Sequence, residues 1–153
     1  MENSQVGSWM SFVCSIQRQI AGGEVINSQD FRQFVDKLRG KEVDWDGLLV
    51  EKAVSIPSDG EYVVVSMPVV VVEFPDGNSQ KIESIVISVA DDPQILQEWQ
   101  ECEIGQQVHF TATLGNEVFA PIRLVKVGST KHVLILNLSN GRLVNCLRRS
   151  IST

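Results

Sequence analysis

Between Lys41 and Val127 the sequence sets out five apolar, strand-like runs, with one short helical signal between the third and the fourth. Strands whose side chains alternate in direction need a partner face to bury. The order of three strands, a helix and two strands is that of a small Greek-key barrel. The first run, Lys41 to Ser55, sets Val43, Trp45, Leu48 and Val50 against Asp44, Asp46 and Glu51, and Gly47 falls where the alternation breaks. A long strand that serves both halves of a barrel wall must bend, and glycine permits the bend. Glu61 to Phe74 is rich in valine on both faces, with Pro68 marking an edge or a bulge. Lys81 to Ala90 alternates, and Pro57–Gly60 and Pro75–Asn78 are the turns around it and its predecessor.

Asp92 can cap a helix, Pro93 suits its first position, and Ile95, Leu96 and Trp99 form its buried side. Gln107 to Leu114 is the fourth strand, and Val118 to Val127 after the Gly115-Asn116-Glu117 turn is the fifth. Beyond Gly128, Val133 to Asn137 alternates again. Asn140-Gly141 between two apolar runs predicts a hairpin of a sixth and a seventh strand. Upstream, Trp9, Phe12, Val13, Ile16 and Ile20 share one helical face, ended by Gly22-Gly23. A second helix starts at Ser28, with Phe31, Phe34, Val35 and Leu38 on its apolar side and Gly40 at its end. Val25-Ile26 between the helices is a short strand or a packed loop. The fold class is therefore mainly β (α+β), a single globular domain. Residues 1–40 form a helical pair, 41–127 the barrel, and 128–153 a C-terminal hairpin with a basic tail.

The middle segment resembles the oligonucleotide/oligosaccharide-binding (OB) fold, and loosely its bacterial tRNA anticodon-binding-like members. The resemblance rests on Val43-x-Trp45-x-Gly47-x-Leu49 and on Gly105-x-x-Val108-x-Phe110-x-Ala112-x-Leu114. It implies ligand binding on the outer face of strands two and three, framed by the loops joining strands one and two and strands four and five. Both loops are short here and lack Lys and Arg.

Charge argues against the usual partner of that fold. Residues 41–127 hold five basic and fifteen acidic side chains, whereas 1–40 balance and 128–153 carry Lys131, Arg142, Arg148 and Arg149 without a carboxylate. Affinity for a polyanion comes largely from neutralised phosphates, so an acidic barrel predicts repulsion of a nucleic acid. The basic tail is expected to pair with the barrel's own carboxylates. The expected function is a non-enzymatic binding module for a protein or small ligand. The alternative is single-stranded nucleic-acid binding through the basic C-terminus and Arg123. The valine run needs cover on its second face, which predicts a homodimer.

Candidate chemistry is sparse. Tyr62, expected beside Lys81 if strands two and three pair, and Arg123, interrupting an apolar strand, are the candidate ligand contacts. Trp45, Phe110 and Phe119 fall in phase with apolar neighbours and read as core. His109 and His132 have no Asp, Cys or Ser at a recognisable spacing. Asp44-Trp45-Asp46 resembles a metal-binding pair, but alternation puts both carboxylates on a solvated face, so neither metal nor cofactor is expected. Cys14, Cys102 and Cys146 are odd in number, widely spaced and without a CxxC pair, which indicates reduced, buried thiols in a cytosol, here a bacterial one. The acidic start and the short, interrupted first apolar stretch predict no signal peptide and no membrane span.

Overall fold

The structure, a computed structural model, describes residues 7–21, 29–56, 60–74, 77–127 and 131–147. Helix α1 spans Trp9–Ala21 and α2 Gln29–Leu38, followed by strands β1 (Glu42–Ile56), β2 (Gly60–Glu73) and β3 (Ser79–Val89). Helix α3 (Pro93–Glu101) leads into β4 (Gln107–Leu114), β5 (Ile122–Val127), β6 (Lys131–Leu136) and β7 (Leu138–Leu147). Five strands close a barrel in the order β1-β2-β3-β7-β4, while β5 and β6 form a separate two-stranded sheet. Every barrel pairing is antiparallel except β3 with β7. This is the OB fold, with two helices before the barrel and the cap-forming helix between the third and fourth strands.

The barrel depends on β1 serving two neighbours. Its first half pairs with β4 from Glu42↔Thr113 to Leu48↔Gln107, and its second half pairs with β2 from Leu48↔Ser66 to Ile56↔Gly60. The changeover falls at Gly47, where a Cβ would stand 2.7 Å from the Ser66 carbonyl oxygen and collide with Val65 Cγ1. The expected bend is thus present, and close approach of β2 is its cause.

One strand assignment changes. The fifth wall strand is β7 rather than 118–127, and the first residues of that run, through Pro121, are loop. Nor does Asn140-Gly141 turn a hairpin. It lies inside β7, where Asn140 takes a left-handed φ of 53° and Gly141 lets β3 approach. A Cβ on Gly141 would sit 2.5 Å from Ile87 Cγ2. The kink allows β7 to leave its parallel contact with β3 and continue along β4. With β7 in the wall, β5 and β6 project as the connection between the fourth and fifth barrel strands.

One core runs through the molecule. Trp9, Phe12 and Trp45 pack together, the two indoles edge to face at 5.3 Å. Both indole N–H groups are satisfied, Trp9 Nε1 by the Pro68 carbonyl at 2.9 Å and Trp45 Nε1 by Gly7 at 3.0 Å. The Gln17 side-chain amide bonds the Glu73 backbone in both directions, fixing α1 to the end of β2. On α3, the Asp92 carboxylate accepts from the Gln94 amide, as the sequence predicts. Trp99 is fully buried, with its ring 6.4 Å from Phe110 and its N–H on the Gly141 carbonyl at 3.3 Å. Gly40 ends the α2 segment with a φ of +82°.

Burial departs from expectation in two places. Cys14 is exposed rather than buried, because it points away from the Phe12–Val13–Ile16 face; Cys102 is buried and Cys146 half-buried. The valine run bulges between Ser66 and Val70, at Pro68, and leaves Val69 and Val71 about half exposed, at 53% and 52%. No helix among the described residues is long and apolar enough to cross a membrane. The predicted helix boundaries at 22–28 and the turn residues 57–59, 75–76 and 128–130 lie outside the described residues, as does the tail beyond 147.

Gly47→Ala is expected to lower unfolding stability by about 2–3 kcal/mol, since a backbone carbonyl cannot rotate away as a side chain can. Val50→Ala, at an exposed site on the same strand, is expected to cost well under that. Urea midpoints at constant m-value check both.

Candidate functional site

A groove of about 890 Å³ opens on the outer face of β3, walled on the far side by β6 and closed at one end by the β4–β5 connection. Its floor comes from alternation on β3: Ile85 and Ile87 turn into the core, so Ser84, Val86 and Ser88 turn out. Tyr62 pairs with Ser88 and joins that face from β2. The opposite wall is Leu134 to Ser139, and Asn116 and Phe119 supply the end.

A side-chain clamp holds the wall in place. Gln80 on β3 donates from Nε2 to the Leu134 carbonyl at 3.1 Å and accepts the Leu134 N–H at 2.7 Å. Its amide therefore imitates one rung of a β-ladder between two sheets that are otherwise separate. At the other end Asn137 donates to the Ala120 carbonyl at 2.7 Å, and the Asn137 N–H bonds Pro121 at 2.9 Å. The end loop is closed by Asn116, whose Oδ1 accepts the amides of Val118 and Phe119, both at 2.7 Å. Phe119 is left 49% exposed in the groove.

The candidate contacts are distributed around this groove. Tyr62 and Lys81 both line it, but not side by side. Lys81 pairs with Val71, so the two lie seven residues apart along β3, roughly 23 Å at strand rise. Lys81 is 3.6 Å from Glu83, both well exposed, so that pair contributes little to stability. Arg123 sits on β5 and pairs with Ile135, whose side chain is in the lining; it is exposed beside the groove rather than in it. Trp45 and Phe110 are core as expected, but Phe119 is not. Periodicity missed it because it was counted in a strand, although Gly115, Asn116 and Pro121 around it are turn residues. Gln80 and Asn137 carried no sequence signal, since their roles exist only once β5–β6 folds back over β3.

The acidic pair and His109 do meet. His109 lies between Asp44, which contacts Nε2, and Asp46, 3.3 Å from Nδ1, across the β1–β4 ladder. The carboxylates face opposite ring nitrogens and so do not converge on one point. Among the described residues no group of His, Cys, Asp and Glu is arranged to hold a metal ion. The side chain of His132 lies outside the described residues.

Charge divides by face. Glu42, Asp44, Asp46 and Glu51 are exposed on β1 and Glu98 and Glu101 on α3, whereas Glu83 is the one carboxylate lining the groove among the described residues. From Val118 to Thr153 the chain has no Asp or Glu, and Arg123, Lys126, Lys131 and Arg142 lie on β5, β6 and β7.

No family model matches the sequence, and no curated protein does. Among solved structures, the chain is similar to the mitochondrial single-stranded DNA-binding protein Rim1 of Saccharomyces cerevisiae. That match has 13% identity and a TM-score of 0.41, and covers 70% of this chain and 97% of that one. The Plasmodium falciparum SSB in complex with single-stranded DNA matches at 16% identity and a TM-score of 0.39, covering 69% and 93%. The similar structures are of single-stranded DNA-binding proteins, which runs against the expected binder of a protein or small ligand with nucleic acid disfavoured. The physical error was to sum charge over residues 41–127. Apart from Glu83, the described carboxylates lie outside the groove lining, and exposed charges beyond about 8–10 Å are largely screened.

Gln80→Ala removes both bonds to Leu134 and is expected to destabilise the chain by about 1–2 kcal/mol. Faster amide exchange at Leu134, with Trp99 and Phe110 amides unchanged, checks that the loss is confined to the groove wall.

Proposed function

We propose that this protein binds single-stranded nucleic acid in the groove between the outer face of β2–β3 and the β5–β6 hairpin, without a chemical step. The observation that carries the reading is the lining itself. Two aromatic rings, Tyr62 and Phe119, are accessible at an open groove whose floor carries the exposed hydroxyls of Ser84 and Ser88. Bases stack on accessible rings whatever their identity, and amides and hydroxyls bond their edges. A hairpin free of carboxylates forms the far wall and supplies Arg123 for the phosphates, with Lys81 on β3 at the groove. The contributing residues are therefore Tyr62, Phe119, Lys81 and Arg123. Three reduced thiols fit a reducing compartment, and we infer a cytosolic location from them.

Fluorescence anisotropy of labelled oligo-dT at low salt tests the reading. Tyr62→Ala and Phe119→Ala are each expected to weaken binding by about 5- to 100-fold, the range for loss of one stacked base. With Lys81 and Arg123 as the phosphate contacts, the slope of log K against log salt is expected near about −1.4, and Arg123→Ala should make it shallower by about 0.7. Absence of binding at low salt, or binding indifferent to both aromatic substitutions, overturns the proposal.

A further inference from the structure

We infer that Arg39, on the segment after α2, is a positioning residue that aims Phe119 into the groove; the inference rests on the single-strand reading above. Arg39 Nη1 donates to the Asn116 carbonyl at 2.5 Å and to the Phe119 carbonyl at 3.3 Å, so one nitrogen bridges the two ends of the loop that carries the ring. Arg39 is not among the residues lining the groove.

The loop is built to be held from outside. The Asn116 side chain is committed to the Val118 and Phe119 amides, and the Asn116 N–H bonds the Phe119 carbonyl at 2.9 Å. Gly115, at a φ of +68°, would carry a Cβ within 2.8 Å of Pro121 N and 2.9 Å of the Phe119 carbonyl oxygen, so the chain doubles back as tightly as glycine allows. These bonds fix the shape of the loop, but none ties it to α2. Arg39 does so, and its own base is firm. Phe31 and Val35 of α2 are buried in the core, the Gly40 N–H bonds Leu114 at 2.9 Å, and the Leu114 N–H bonds Lys41 at 2.8 Å.

Phe119 has no polar atom, and half of it faces solvent, so packing alone does not set its direction. A ring that must receive a base gains affinity when it is ordered before the ligand arrives. Guanidinium suits the task because its plane fixes the directions of the two Nη1 hydrogens, which a freely rotating ammonium does not. The N-terminal helices would thereby bear on the binding groove without touching the ligand.

Oligo-dT affinity of the full chain with Arg39→Ala, Phe119→Ala and the double substitution tests this as a thermodynamic cycle. Arg39→Ala is expected to weaken binding about 3- to 10-fold, to add nothing in the Phe119→Ala background, and to leave the salt slope unchanged. Arg39→Lys should recover only part of the loss. A loss that adds to that of Phe119→Ala overturns the inference, as does a slope shallower by about 0.7, which would make Arg39 a phosphate contact. Amide exchange at Val118 and Phe119 without ligand gives an independent readout. Faster exchange in Arg39→Ala supports the positioning role, and unchanged exchange overturns it. If the wild-type chain binds no strand, the single-strand reading fails, and exchange alone decides whether Arg39 orders the loop.

Discussion

Everything else in this molecule depends on β1 belonging to two sheets at once. A fifteen-residue strand can pair with β4 along one half and β2 along the other only if the wall folds over on itself, and that brings the β2 backbone against position 47. A side chain there would occupy the space of the Ser66 carbonyl. Closure removes the free edges that β1 and β4 would otherwise present, and lets one interior be filled from every strand. Trp45, Phe110 and Trp99 meet in that interior.

The second device is the kink at Asn140-Gly141. Because β7 lies between β3 and β4 there, the fifth wall strand is supplied from beyond residue 137, and the twenty-odd residues between β4 and β7 have no place in the barrel. They pair with each other as β5–β6 and fold back over β3, where Gln80 supplies the one rung that joins the two sheets. The groove is the gap that remains. It exists because the connection is too long to be a turn and too apolar, with Ile122, Leu134 and Leu136, to stand away from the barrel.

Local signals in the sequence were sufficient for α1, α2, α3 and the first four strands. The Asp92 cap, the glycine break at 47 and the valine bulge at Pro68 each have a cause within a few residues. What could not be read locally was the choice between 118–127 and 138–147 as the closing strand, since both are apolar and alternate. That choice is made by register against β3 and β4, tens of residues away. Asn140-Gly141 illustrates the ambiguity: the same dipeptide that turns a hairpin also allows a left-handed kink inside a strand. The site suffered from the same gap. Tyr62, Lys81 and Arg123 could be picked out as residues out of phase with their neighbours, whereas Phe119 was hidden by its assignment to the wrong strand.

That topological choice also governs the electrostatics. Assigning 118–127 to the wall places Arg123 and Lys126 among fifteen carboxylates, and the barrel then reads as uniformly acidic. Moving the segment into a projecting hairpin separates the charges by sign. Six exposed carboxylates sit on β1 and α3, Glu83 is the carboxylate in the groove among the described residues, and the carboxylate-free segment faces β3 across it. In saline water the potential in that groove is set by charges within about a Debye length, not by the chain's net −6. The acidic flanks make β1 the side most repulsive to an anion and the side along the hairpin the least.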